Sequence, residues 1–336
     1  MGVMQSGGRL ETGQELPVAA FETLLSPAVL FFVLGALAAL ARSDLAVPEP
    51  LAKSLSLYLM AAIGLKGGVQ VAQAGFTPQL LQVSAAGLVL SFGLPVIAFA
   101  LLRSFARLDR LNAGAVAAHY GSVSIVTFVT ASDALTRAGL APAGFMVAVM
   151  ALMETPAIIT GLLLARGQGA LAAGGRGKLL HEVLLNGSVV LLLGAFGIGL
   201  ALGKQRFEPI APVFVTGFTG LLCLFLLDMG LIAMRRLRAS RALSGRMVAL
   251  GVVLPLLNGT IGLLLANLLG LDPGTGAALT MLAASASYIA VPAAIRMALP
   301  DADPGIYLSM SLAISFPFNI LVGIPLVIQL APQVLA

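Results

Sequence analysis

Ten stretches of roughly 20 predominantly apolar residues dominate this chain, and each is long enough to cross the hydrocarbon core of a bilayer as a helix. They cover about 25–41, 51–73, 80–102, 113–131, 143–165, 183–202, 211–234, 247–270, 276–297 and 305–331. Polar breaks such as "ARSDLAVPEP", "RSFARLDRLN" and "RRLRASRALSGR" separate them, while "LGLDPGTG" makes a turn with no basic residue. Of the 336 residues, 59% are hydrophobic and only 10% charged, against about 25% charged in a soluble domain. The composition therefore points to an all-α polytopic membrane protein. The polar opening "MGVMQSGGRLETGQELPVAA" lacks the basic start and apolar run of a secretory signal, so the first span is expected to be retained.

Basic residues set the orientation. Fourteen of the nineteen Lys and Arg residues fall in loops after odd-numbered runs, four lie on the other side, and Lys66 lies inside a span. Both termini are thus expected outside and the odd loops in the cytoplasm. The net charge of +5 is then a topology signal, with no nucleic-acid partner implied. Cys223, the one cysteine, rules out an intrachain disulfide. No His-Glu-x-x-His, paired Cys or Walker-type loop occurs, and His119 and His181 are too few and too separated for a metal cluster. The chain reads as a non-enzyme without a cofactor, and without a nucleotide site it is not a primary pump on its own.

Ten spans divide into five and five, and an odd number per half requires the halves to be inverted. Five similarities recur in the same order. "LLSPAVLFFVLGALAAL" resembles "LLNGSVVLLLGAFGIGL", "VPEPLAK" resembles "FEPIAP", and Gly64-Leu65 aligns with Gly230-Leu231. "GSVSIV" matches "ASASYI", and 144–161 matches 305–323. The expected organisation is an external tail (1–24), a first five-helix repeat (25–166), a cytoplasmic linker (167–182) and an inverted second repeat (183–331). Secondary transporters recurrently use this plan with a central site, although channels use such repeats too.

Depth singles out the candidate residues. Ser122 and Ser124 lie nine and eleven residues into the fourth run, and Ser285 and Ser287 nine and eleven into the ninth. Glu154 and Pro156 in the fifth run, and Ser315, Pro317 and Asn319 in the tenth, also fall near the midplane. At about 1.5 Å per residue, ten residues reach the middle of a ~30 Å core. Polar groups there need partners, and an intramembrane carboxylate is a functional candidate by default. Pro156, Pro292 and Pro317 each remove a backbone donor and are expected to free a carbonyl. Oxygen donors of these kinds suit Na⁺, and half-helix N-termini suit a small anion. For any single serine, close helix packing is the competing explanation. Asn258 either joins the site or links helices. His119 is expected at the membrane interface, Asp228 in an interfacial pair with Arg235 or Arg236, and Lys66 either snorkels or meets a carboxylate.

"VPEPLAKSLSLYLMAAIGLKGGV", "AAHYGSVSIVTF", "ALMETPAI", "PLLNGTIG" and "AASASYIAVPAAIRMALP" together resemble the sodium-dependent bicarbonate transporter family of bacteria, over about residues 25–330. The resemblance implies ten helices in two inverted repeats forming core and gate domains, in the bacterial plasma membrane. It implies a homotrimer that carries Na⁺ and bicarbonate (or a similar small monoanion) by an elevator-like movement, and a PII-like cytoplasmic regulator. Carried over by motif, Gly121, Ser122, Ser124, Ser285, Ala286 and Ser287 would hold bicarbonate. Glu154, Thr127, Asn319, Ser315 and Asn258 would hold the coupling Na⁺, with no other metal. A passive facilitator on the same fold is the alternative.

Overall fold

The computed structural model describes residues 25–335 apart from 76, 167–186, 240–242 and 289. The anticipated tail, the linker and His181 lie outside the described residues. Among the described residues the chain is helical throughout, without strands. The helices are α1 (Pro27–Leu40), α2 (Glu49–Ala74), α3 (Pro78–Ser104), α4 (Arg110–Gly121), α5 (Ile125–Arg137) and α6 (Met146–Arg166). They continue as α7 (Gly187–Phe207), α8 (Phe218–Ala239), α9 (Gly245–Leu268), α10 (Pro273–Ala284), α11 (Ala290–Ala298) and the composite α12 (Pro304–Val334). Seven helical segments are long and apolar enough to cross a bilayer, and α1 is apolar but only 14 residues long. This is the architecture of a multi-pass membrane protein.

Local signals start the helices where capping chemistry dictates. Ser26, Thr77 and Ser244 cap α1, α3 and α9 with their side-chain oxygens. Asp109 and Asp272 each accept the backbone N–H three residues on, at 2.9 Å, and each opens a helix of 12 residues. Twelve residues rise about 18 Å, so α4 and α10 are half-length helices that end within the packed interior. Both are fully buried along their apolar length, so no lipid meets their ends.

The helices sort into two packing groups. α1 lies along α8 and α2 along α7, while α3, α4 and α6 pack together and α9 packs on α10. Reciprocal glycines make the first two contacts. A Cβ on Gly35 would fall 2.0 Å from the Leu227 carbonyl oxygen, and one on Gly230 2.1 Å from that of Phe32. Gly68 and Gly199 repeat the arrangement against the Phe196 and Leu65 carbonyl oxygens, at 2.0 and 2.2 Å. Backbone-to-backbone approach of this kind is how membrane helices pack without a hydrophobic driving force.

The prolines expected to remove a backbone donor sit within continuous helices. Pro156 sits inside α6, and Pro95 and Pro255 lie inside α3 and α9. Pro317 is absorbed by widened π turns on either side, Ser309–Ser315 and Asn319–Gly323, which shift the hydrogen-bond register around the missing donor. Pro292 lies near the start of α11, where a missing N–H costs little. The true interruptions fall at serines, between Gly121 and Ile125 and between Ala284 and Ala290.

Candidate functional site

At the first interruption Ser122 ends α4 in an extended conformation (φ −84°, ψ 167°), and Ser124 restarts the chain as the N-cap of α5. Ser124 Oγ accepts the Thr127 N–H at 3.1 Å. At the second, Ser285 ends α10 in nearly the same conformation (φ −80°, ψ 162°). A serine suits both roles, because its hydroxyl competes for backbone groups that a helix would otherwise claim.

The two interruptions cross and hold each other. The Ser124 N–H donates to Ser285 Oγ at 3.0 Å, and the Ser287 N–H donates to the His119 carbonyl at 2.9 Å. His119 Nδ1 meets the Ser287 carbonyl in return, and its ring stacks on Tyr307 at 5.0 Å. Ser285 Oγ in turn donates to the Leu282 carbonyl at 2.8 Å. Two asparagines serve the helix ends that point into the membrane. Asn258 on α9 donates to the Tyr120 carbonyl at 3.0 Å, and Asn319 on α12 donates to the Ala284 carbonyl at 2.9 Å. Each satisfies a C-terminal carbonyl that the helix leaves without a partner. Each keeps its side-chain oxygen buried and without a hydrogen bond among the described residues, as do Ser122 Oγ and Thr127 Oγ1.

Beside the crossing, Val123, Ser124, Ile125, Glu154, Ser287 and Tyr288 line a narrow cleft that has no room for a water molecule in this conformation. Glu154 reaches it from α6 and is 2% exposed. The first two N–H groups of α5, at Ile125 and Val126, have no acceptor within their own helix and carry the positive end of its dipole. The cleft thus combines anion-binding donors with a carboxylate. Ser124, Ser287 and Glu154 meet there, with Ser122, Gly121, Ser285 and Ala286 in the adjoining backbone. Thr127, Asn258 and Asn319 surround the crossing without lining the cleft. Ser315 is committed elsewhere: it donates to the Gly251 carbonyl at 2.6 Å, so the Tyr120 hydroxyl, also at 2.6 Å, must donate to it. Gly121 sits where a Cβ would lie 2.1 Å from Pro95 Cγ, so its small size serves contact with α3.

His119 and Asp228 differ from expectation. His119 is fully buried in the crossing, not interfacial: α4 is a half-length helix, so a residue near its end lies deep. Among the described residues Asp228 makes no ion pair with Arg235 or Arg236, and Arg235 is turned to the Leu45 carbonyl at 2.7 Å. Among the described residues Lys66 has no carboxylate within salt-bridge distance, although Asp133 lines the same pocket, and its ammonium lies 5.0 Å over the Phe218 ring. Tyr288 joins the cleft although the sequence motif assigns it no role. The signal for both His119 and Tyr288 was available: an aromatic polar residue within three positions of a Gly-Ser or Ser-x-Ser pair inside an apolar run.

Removing the amide of Asn319 leaves the Ala284 carbonyl buried and unpaired, at a cost of about 1–3 kcal/mol. Asn319→Ala is expected to lower the midpoint of thermal unfolding, measured in detergent, and to remove any stabilisation by added Na⁺. An unaltered Na⁺ response would separate Asn319 from ion binding.

Set against known families, residues 27–332 match the model of the Na⁺-dependent bicarbonate transporter superfamily. Comparison with curated proteins gives no match.

Proposed function

The chain belongs to the Na⁺-dependent bicarbonate transporter superfamily, and from that premise we propose that it imports bicarbonate together with Na⁺ as a secondary active symporter. The observation that carries this reading is the crossing of two half-helices beside a cleft that holds both backbone anion donors and the Glu154 carboxylate. Bicarbonate rests on Gly121, Ser122, Ser124, Ser285, Ala286 and Ser287. Glu154 with Thr127, Asn258 and Asn319 supplies oxygens for Na⁺; Ser315 contributes by fixing Tyr120.

Coupling follows from charge. A monoanion beside the Glu154 carboxylate meets like-charge repulsion. Two unit charges about 5 Å apart at an effective dielectric of about 20 repel by about 3 kcal/mol, about a hundredfold in affinity. Na⁺ bound between them cancels that repulsion, so the anion binds well only after the cation. The site need not select bicarbonate by shape alone, since N–H and hydroxyl donors accept other small monoanions.

Ten membrane passages in two inverted repeats complete the proposal. The matched twelve-residue half-helices, each opened by Asp and ended by Ser, support it, as do the paired glycine contacts. α1, α2, α7 and α8 form a gate framework, and the remaining helices form a core that slides against it in an elevator-like motion. Both termini face outside the plasma membrane, the unit is a homotrimer in lipid, and a PII-like protein regulates it from the cytoplasm. The test is uptake of labelled bicarbonate into proteoliposomes. Accumulation is expected only with an inward Na⁺ gradient. Flux indifferent to Na⁺, or flux that never exceeds equilibrium, would instead support a passive facilitator.

A further inference from the structure

A second, larger pocket lies between α2, α5 and the loop that follows α5, with an empty volume of about 790 Å³ that includes its open mouth. Its wall carries Lys66, Gln70, Asp133 and Thr136. Along α5 its lining extends inward to Phe128, one turn from the Ser124 cap at the central crossing. The Asp133 carboxylate is engaged by Arg137 at 2.7 Å and by the Thr219 hydroxyl at 3.5 Å. Among the described residues no carboxylate comes within salt-bridge distance of Lys66. Its ammonium rests on the face of the Phe218 ring at 5.0 Å, a contact that steadies a cation without neutralising it. Lys66 and Asp133 line the pocket, and Arg137, outside its lining, pairs with Asp133 at 2.7 Å, so the three together carry one net positive charge, the sign that attracts anions from solution.

We propose that this pocket is an outer binding station for the transported monoanion, with Lys66 as its anion-attracting residue. The inference rests on the anion-transport reading for the identity of the ligand. The pocket and the lysine on its wall stand independently. The small anion would be gathered at Lys66 and handed along α5 to the crossing, and the spacing from Thr136 to Phe128 on one helix supplies the path.

The primary test needs no transport. On a Cys223→Ala background, Gln70→Cys places a thiol one turn from Lys66 on the same helix face. Its rate of modification by an anionic methanethiosulfonate, relative to a cationic one of similar size, reports the local field. Adding Lys66→Gln is expected to lower that ratio about tenfold at low salt, within the range of electrostatic steering. Lys66→Arg should retain it, and about 1 M salt, where screening acts within ~3 Å, should erase the difference. A ratio unmoved by Lys66→Gln overturns the proposal. In proteoliposomes Lys66→Gln is expected to raise KM for bicarbonate about tenfold and leave kcat within about twofold. A fall in kcat at constant KM also overturns it, as the mark of a residue that merely braces α2 against α5. If the unmodified protein shows no Na⁺-driven accumulation while the reagent ratio still responds to Lys66, the transport reading fails and the anion station stands.

Discussion

Glu154→Gln is expected to abolish Na⁺-driven accumulation of bicarbonate while allowing the anion to bind without Na⁺. The carboxylate is buried at 2% exposure in the cleft beside the α5 N-terminus. Replacing it by an amide removes both a ligand for the cation and the repulsion that makes the anion wait for it. The like-charge penalty of about 3 kcal/mol sets the scale: Na⁺-independent anion affinity should rise about a hundredfold. Calorimetric or fluorescence titration of bicarbonate with Na⁺ replaced by choline measures the first effect, and ²²Na⁺ with labelled bicarbonate uptake measures the second. Glu154→Asp keeps the charge and should retain coupling at reduced rate. Unchanged Na⁺-dependent uptake in Glu154→Gln would remove Glu154 from the site.

The second large effect is expected at Gly121. A methyl group there would meet the Pro95 ring at 2.1 and 2.3 Å, and Ala157 Cβ at 3.1 Å. A proline ring fused to its helix cannot rotate away, so α4 must shift, and with it the crossing one residue further on. Overpacking of this kind costs about 1–3 kcal/mol. Displacing the site by even 1 Å typically removes about a hundredfold of rate. Gly121→Ala should therefore lose nearly all uptake with a moderate fall in thermal stability. Pro95→Ala in the same chain should recover much of both, because it vacates the space the methyl group needs. The double-mutant cycle measures the coupling directly. Full activity in the single variant would show that the close contact with α3 is dispensable.

Much of the fold could be read in the sequence, because bilayer insertion is a local property: twenty apolar residues specify a helix wherever they occur. The meeting of Ser124 with Ser285 was equally legible, since the two serine pairs sit at matching positions within matching motifs. The locations of the breaks were not. Proline is the obvious local breaker, yet Pro156 and Pro317 lie in uninterrupted helical paths. The break at 122–124 is stabilised by groups far along the chain, with Ser285, Ser287 and Asn258 all supplied by the second half. No window of sequence contains both partners. The same non-locality concealed the depth of His119, which follows only once α4 is known to stop at Gly121. It also concealed the commitment of Ser315 to Tyr120 and Gly251.

That division of labour carries a consequence for biogenesis. The polar break between α4 and α5 is translated 138 residues before Asn258 and 161 before Ser285, which satisfy it. During that interval the nascent first half carries exposed backbone donors and carbonyls at mid-membrane depth, where hydrocarbon offers no substitute. The insertion machinery or neighbouring helices must shelter the first half-helix pair until the ninth and tenth helices arrive. The first half is thus an assembly intermediate that waits for its complement, and the crossing is completed only once the ninth and tenth helices have been made.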